Sequence, residues 1–82
     1  MDFKKGMVVI SRAGRDSGYP MAVVDVKDGF VFVCDGKERP LERPKKKNPL
    51  HLAATNKTIQ LDNITNRKLR TVLREYIAEE SE

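Results

Sequence analysis

The sequence has no tryptophan, a single cysteine and a single histidine. One cysteine cannot form an internal disulfide, and Cys34 with His51 does not supply the paired spacing of a zinc site. No apolar run reaches the roughly 18 residues of a membrane-spanning helix, and the N-terminus lacks a secretory signal pattern. We therefore expect a cytoplasmic protein with no metal, no cofactor and no membrane association.

Residues suited to catalysis are also scarce. Cys34 lies in an apolar stretch, where a free cysteine behaves as a small hydrophobic side chain. Gly14 and Gly18 are too close together for a phosphate-binding loop of nucleotide hydrolases, and no Lys-Ser or Lys-Thr follows them. A chain of 82 residues supports one core, which leaves no cleft between domains for a cofactor. We expect neither an enzyme nor a small-molecule substrate.

Basic charge is present and unevenly placed. The 16 Lys and Arg outnumber the 12 Asp and Glu, for a net charge of +4. Residues 1–57 carry 12 basic and 7 acidic side chains, and residues 58–82 carry 4 and 5. Residues 37–47 alone hold 6 basic and 2 acidic side chains, with Pro40 and Pro44 opposing a helix. This segment fits either a solvated loop or a loop that contacts phosphates from a rigid scaffold.

Short apolar stretches rich in β-branched residues predict strands in the first two thirds of the chain. Asp28-Gly29 and Asp35-Gly36 separate such stretches, and Asp-Gly favours the type I′ turn of a hairpin. We predict strands over residues 7–10, 21–26, 30–34, a short piece at 38–41 and another at 50–53. Closure would remove exposed sheet edges, so the predicted fold is mostly β, a small SH3-like barrel of about five antiparallel strands with a C-terminal α-helix.

The last quarter of the chain changes to helical periodicity. The spacing gives one apolar face formed by Leu69, Val72, Leu73, Tyr76 and Ile77. Three arginines fall on the opposite side, within about 60° of one another, namely Arg67, Arg70 and Arg74. Thr65 or Asn66 is suited to be the N-cap. We predict a barrel over residues 1–57 and a linker with an amphipathic helix over 58–82, as parts of one domain.

The predicted loop after the first strand combines charge, glycine and an aromatic residue. Arg12 and Arg15 bracket Gly14, and Tyr19 follows Gly18. Arginine offers paired donors to phosphate, and a tyrosine at a loop tip can stack on an unpaired base. Alternatively, the glycines serve the turn alone and Tyr19 covers the core.

Residues 6–25, GMVVISRAGRDSGYPMAVVD, resemble the KOW motif, which occurs on SH3-like barrels in ribosomal proteins and transcription elongation factors. The positions that carry the resemblance are Gly6, Val8, Ile10, Gly14, Gly18 and Val23 or Val24. Over roughly residues 4–57, including PKKK at 44–47 and LHL at 50–52, the chain is similar to small bacterial KOW-domain RNA-binding proteins and to the fourteen-e family of large-subunit ribosomal proteins. It departs from the motif at Tyr19-Pro20, where a basic residue is common.

The resemblance implies an RNA-binding, ribosome-associated protein whose first loop contacts RNA, with large-subunit rRNA and ribosomal proteins as its expected partners. Together with the basic segment, it gives the expected RNA-binding residues Lys4, Lys5, Arg12, Gly14, Arg15, Gly18, Tyr19, Lys37, Arg39, Arg43, Lys45, Lys46, Lys47 and His51. Two alternatives stay open at this point. One is a protein-interaction module of the translation or transcription machinery that uses the barrel and helix. The other is a nucleic-acid chaperone that does not discriminate DNA from RNA.

Overall fold

The computed structural model of the chain describes residues 2–80, and side chains for residues 2–79. Its elements are β1 (Met7–Ser11), β2 (Pro20–Lys27), β3 (Phe30–Cys34), β4 (Lys45–Lys47), a one-turn 3₁₀ helix (Pro49–His51), β5 (Leu52–Thr58) and α1 (Asn66–Glu80). The strands form one antiparallel five-stranded sheet in the order β4-β3-β2-β1-β5. A mostly β domain with a C-terminal helix is therefore confirmed.

The fourth strand lies where the sequence predicted a loop. Residues 38–41 do not form the short strand that we expected, and the lysine triplet of β4 pairs with β3 instead. The reason is the turn after β3: Asp35 Oδ1 accepts the backbone N–H groups of Lys37 and Arg39, at 2.8 and 2.9 Å. The N–H of Asp35 also donates to the carbonyl of Arg39. Backbone groups used in this turn cannot join a strand ladder.

The fifth strand is longer than its apolar pattern indicated. It covers Leu52–Thr58, so part of the predicted linker belongs to the sheet. Asn48 caps the preceding 3₁₀ turn by accepting the N–H of Leu50, at 2.9 Å. Within β5, the Thr55 hydroxyl donates to the Val8 carbonyl at 2.6 Å, which holds this polar strand against β1.

Both faces of the sheet are buried. Alternate strand residues point to opposite faces, so the neighbours Val8 and Val9 belong to different clusters. One cluster contains Val9, Met21, Val23, Val31, Val33 and Leu52, with Phe3 and Met7 against it. The other contains Val8, Ala22, Cys34, Leu69 and Leu73, and is covered by α1. No helix in the described part of the chain is long and apolar enough to cross a membrane.

Helix α1 packs on its own sheet. Leu69 and Leu73 are buried, and Thr65 Oγ1 accepts the N–H of Lys68, which confirms Thr65 as the N-cap. Asn66 makes a different contact, in which its Oδ1 accepts the N–H of Leu41 at 2.7 Å. The start of the helix is thereby tied to the segment that leads from β3 to β4.

Candidate nucleic-acid interface

Two connecting segments that carry exposed arginine or lysine lie at one end of the sheet. Residues 12–19 join the end of β1 to the start of β2, and residues 35–44 follow the end of β3. Because β1 and β3 both run antiparallel to β2, these two connections lie at the same end. The hairpin turn at residues 28–29 lies at the opposite end.

An open groove of about 780 Å³ separates the two segments. It is lined by Arg15, Asp16, Tyr19, Met21, Asp35, Lys37, Glu38, Arg39 and Lys45. Five of these are residues that the sequence singled out for RNA binding, and they come from parts of the chain up to 30 residues apart. Tyr19 is 62% exposed, so its ring does not cover the core and is open to a ligand.

Most acidic side chains of the groove form hydrogen bonds within the protein. Asp35 caps its own turn through the N–H groups of Lys37 and Arg39. Asp16 accepts hydrogen bonds from Ser11, Lys45 and Lys47. Two of the three lining carboxylates therefore organise the loops, while the guanidinium groups of Arg15 and Arg39 are exposed.

The three lysines of β4 have three different surroundings. Lys47 is 6% exposed, and its Nζ donates to Ser11 Oγ (2.9 Å), the Ala13 carbonyl (2.9 Å) and Asp16 Oδ1 (3.1 Å). Lys45 Nζ lies 3.3 Å from Asp16 Oδ2. Lys46 is exposed, and its Nζ lies 4.2 Å from the centroid of the Phe30 ring. The sequence interpretation treated the triplet as equivalent phosphate contacts, whereas Lys47 faces inward and anchors residues 12–19.

The hydrogen bonds that Asp16 accepts, above all those from Ser11 and Lys47, change its ionisation. Burial by itself would raise the pKa of this carboxyl, but hydrogen bonds from Ser11 and Lys47, the charge of Lys47 and a hydrogen bond from Lys45 lower it from 3.8 to about 2. An ionised Asp16 is thus preferred in the folded protein.

We expect the lowered pKa of Asp16 to make the free energy of unfolding fall at acid pH. Since the pKa of Asp16 is lower in the folded than in the unfolded chain, its stabilisation is complete above 3.8 and is lost as the pH falls through about 2. The difference in unfolding free energy between the native protein and Asp16→Asn should shrink by roughly 2 kcal/mol between about pH 6 and about pH 2 in urea titrations. Asp28→Asn, which removes an exposed turn carboxylate, is the control. A difference that does not change with pH would contradict the assignment.

The remaining expected RNA-binding residues surround the groove or lie apart from it. Arg12 and His51 are neighbours, because the N–H of Arg12 donates to the His51 carbonyl at 2.8 Å. The N–H of Arg43 donates to the Pro40 carbonyl at 2.9 Å, and Arg43 does not line the groove. Gly14 and Gly18 both have positive φ in the first loop. Lys4 and Lys5 precede β1, and Lys5 lies 4.0 Å from Asp25. The structure does not bring Lys4 or Lys5 into the groove.

Sequence reasoning missed the residues that hold the loop in place. Ser11 and Asp16 connect residues 12–19 to β4. The sequence contained one sign of this role, since Asp16 is the single acidic residue in a loop, residues 12–19, that otherwise carries arginine. Cys34, by contrast, fits its prediction as a core residue: burial, then the charges of Asp35 and Glu42, raise the pKa of its thiol to about 11, so the reactive thiolate is disfavoured.

No protein-family model matches the chain, and no curated protein matches it in sequence.

Proposed function

We propose that this protein is a ribosome-associated KOW-domain protein that binds rRNA through the groove between residues 12–19 and 35–45. The observation that carries the proposal is the exposed ring of Tyr19 standing among Arg15, Lys37 and Arg39. A nucleic acid offers both of the groups that such a groove can hold, an aromatic base and phosphate oxygens.

An SH3-like barrel is the architecture that we propose for the sheet. Strands β4 and β5 lie at its two edges, yet only residues 48–51 connect them, and three of these form a 3₁₀ turn. Such a connection spans roughly 13 Å, whereas the edges of a flat five-stranded sheet lie about 19 Å apart. This short connection supports a sheet that curls so that its edges approach one another.

The inner core supports the same architecture. Val9, Val23 and Val33 are fully buried on the face away from α1. All six buried side chains of this cluster belong to the strands themselves, and the only further apolar side chains packed against them, among the described side chains (residues 2–79), are Phe3 and Met7. Two partly buried side chains cannot cover a flat sheet, so the burial follows from curvature of the sheet around its own side chains.

The groove gives each residue a distinct role in binding. Tyr19 provides a stacking surface for an unpaired base, an interaction worth about 1–3 kcal/mol for each base. Arg15 and Arg39 offer planar paired donors to phosphate, and Lys37 offers a single positive charge. Lys47 and Asp16 hold the first loop in place before RNA arrives, which lowers the entropy cost of binding.

The test is a salt titration of binding to fragments of large-subunit rRNA. On a single-stranded fragment, with four to five phosphates neutralised in the groove, log K should fall with log salt at a slope of about −3 to −3.5. Arg15→Gln/Lys37→Gln/Arg39→Gln should flatten the slope by about 2, because each single-strand contact contributes about 0.7. Lys27→Gln, next to the turn at the opposite end of the sheet, is the charge-loss control. A flat slope for the native protein, or no binding at about 100 mM salt, would overturn the proposal. A matched DNA hairpin tests discrimination by the 2′-hydroxyl.

The alternative of a protein-interaction module drew part of its support from a helix free to enter a partner's groove. In the structure, the apolar face of α1 covers Val8, Ala22 and Cys34 of this chain. Leu69 and Leu73 are therefore core residues of this domain, which removes that part of the support.

A further inference from the structure

Helix α1 carries its three arginines on one flank and its described glutamates on another. At about 100° per residue, Arg67, Arg70 and Arg74 lie within about 60° of one another. Glu75 and Glu79 lie roughly 80° or more around the helix from this group. All five of these side chains are exposed. We call the side with the three arginines the arginine flank.

Contacts on the two sides of α1 show which part of the domain each flank faces. A Cβ built on Gly36 would lie 2.9 Å from Cγ of Arg70, so the arginine flank rests against the turn that leads into Lys37 and Arg39. On the other side, Tyr76 and Glu79 line a surface depression with residues 54–57 of β5. The arginine flank therefore continues the basic border of the groove, and the acidic flank faces away from it.

The three arginines repel one another. They are spaced at i, i+3 and i+7, and like charges three or four residues apart destabilise a helix by roughly 0.2–0.5 kcal/mol per pair. None of the three forms an ion pair with a described side chain (residues 2–79) that would offset this repulsion. A polyanion laid along the flank would relieve the repulsion.

We propose that the arginine flank is a second phosphate-contacting surface, and that with the groove it takes RNA in which an unpaired nucleotide lies beside a double-helical stem. The proposal rests on the proposed function and names its ligand class. Arg67 to Arg74 spans about 10 Å of rigid helix, which suits the fixed backbone of a stem. The flank has no aromatic side chain on which a base could stack, because the one aromatic of α1, Tyr76, is on the β5 side.

Duplex and single-stranded parts of the ligand therefore contact different residues. A-form stems expose phosphates and 2′-hydroxyls, while their bases are hard to reach in the deep, narrow major groove. Arginines on a helix suit that backbone. The unpaired nucleotide, with its free base, fits the groove at Tyr19.

The experiment compares three RNAs by fluorescence anisotropy: a hairpin with a single-nucleotide bulge, the same hairpin fully paired, and a single strand of equal length. For both hairpins, Arg67→Gln/Arg70→Gln/Arg74→Gln should weaken binding about tenfold or more and flatten the salt slope by about 2 to 3. Its effect on the single strand should stay within about twofold. Tyr19→Ala should weaken binding of the bulged hairpin and the single strand, and leave the paired hairpin within about twofold.

Two single substitutions that each remove one positive charge test whether the position of that charge on α1 matters. Arg70→Gln and Lys68→Gln each remove one exposed positive charge from α1, but Lys68 lies outside the arginine flank. We expect Arg70→Gln to weaken hairpin binding several-fold and Lys68→Gln to change it less than twofold. Thermal unfolding of each variant establishes that the helix is intact.

The outcomes distinguish this inference from the proposed function. If the native protein binds none of the three RNAs, the proposed function fails and the inference fails with it. If the native protein binds but the triple arginine variant keeps its affinity and slope, the arginine flank is not a contact surface and the groove proposal stands. If the triple variant loses all three RNAs equally, the assignment of the flank to a stem is overturned.

Discussion

Replacing Lys47 with methionine is expected to lower the free energy of unfolding by about 3 kcal/mol at neutral pH. Methionine keeps most of the apolar stem, so the loss reflects the ammonium group and not a cavity. That group donates to Ser11, Ala13 and Asp16, and hydrogen bonds to charged groups are worth roughly 1.5–3 kcal/mol each. Asp16 keeps Lys45 and is partly exposed, which limits the penalty for losing its buried partner. A loss of this size corresponds to a fall in Tm of about 12–24 °C.

The neighbouring residue supplies the control. Lys46→Met removes the same charge from the same strand, but its ammonium contacts only the Phe30 ring in the described structure. We expect that change to cost about 0.5–1 kcal/mol. Urea unfolding followed by circular dichroism measures both variants. Equal losses for Lys46→Met and Lys47→Met would show that the buried ammonium does not stabilise the fold.

A double-mutant cycle tests whether Lys47 and Asp16 act as a pair. Removing both partners leaves no buried unpaired charge, so the loss for Lys47→Met/Asp16→Ala should be smaller than the sum of the single losses by about 1 kcal/mol or more. The same variants test the proposed role of Lys47 in binding. Since its ammonium is buried and bonded to Ser11, Ala13 and Asp16, we propose that it positions the loop, and its loss should then weaken RNA binding and leave the salt slope unchanged. Strict additivity would show that the two side chains stabilise the fold independently.

The hairpin between β2 and β3 could be predicted because its information is local. At the turn between β2 and β3, Asp28 and Gly29 have φ of 53° and 79°, as a type I′ turn requires. The apolar spacing likewise located α1 and its N-cap. In both cases the residues that determine the structure lie within a few positions of one another.

The fourth strand could not be predicted because its stability is non-local. Three consecutive lysines have low strand propensity and suggest a solvated loop. The strand forms because Lys45 and Lys47 meet Asp16, which lies about 30 positions earlier in the chain. Only the folded topology brings that carboxylate to β4. The groove is non-local in the same way. Arg15 and Lys37 were each identified from sequence, but the order of the strands is what places them in one groove.

The second large effect is expected at Gly36, which has φ of +82° and is buried. In Gly36→Ala, the new Cβ would collide with the backbone oxygen of Asn66 and lie 3.1 Å from the backbone nitrogen of Arg70. Backbone atoms of a helix cannot move aside singly, so either α1 shifts or the turn opens. We expect a loss of about 3 kcal/mol or more, from overpacking of about 1–3 kcal/mol and a left-handed backbone penalty of about 1–2 kcal/mol.

Gly29 offers a comparison, since it also follows an aspartate and has φ of +79°, but nothing lies within 4 Å of its added Cβ. Gly29→Ala should therefore cost only the backbone penalty of about 1–2 kcal/mol. The contact at Gly36 also seats the arginine flank beside the groove, so Gly36→Ala should weaken binding of hairpin RNA more than its loss of stability at the assay temperature explains. Equal losses of stability in the two alanine variants, measured by urea unfolding, would mean that the turn and the helix are not in tight contact. The groove and the arginine flank would then not be held side by side, because that contact is what places Arg70 against the turn that leads into Lys37.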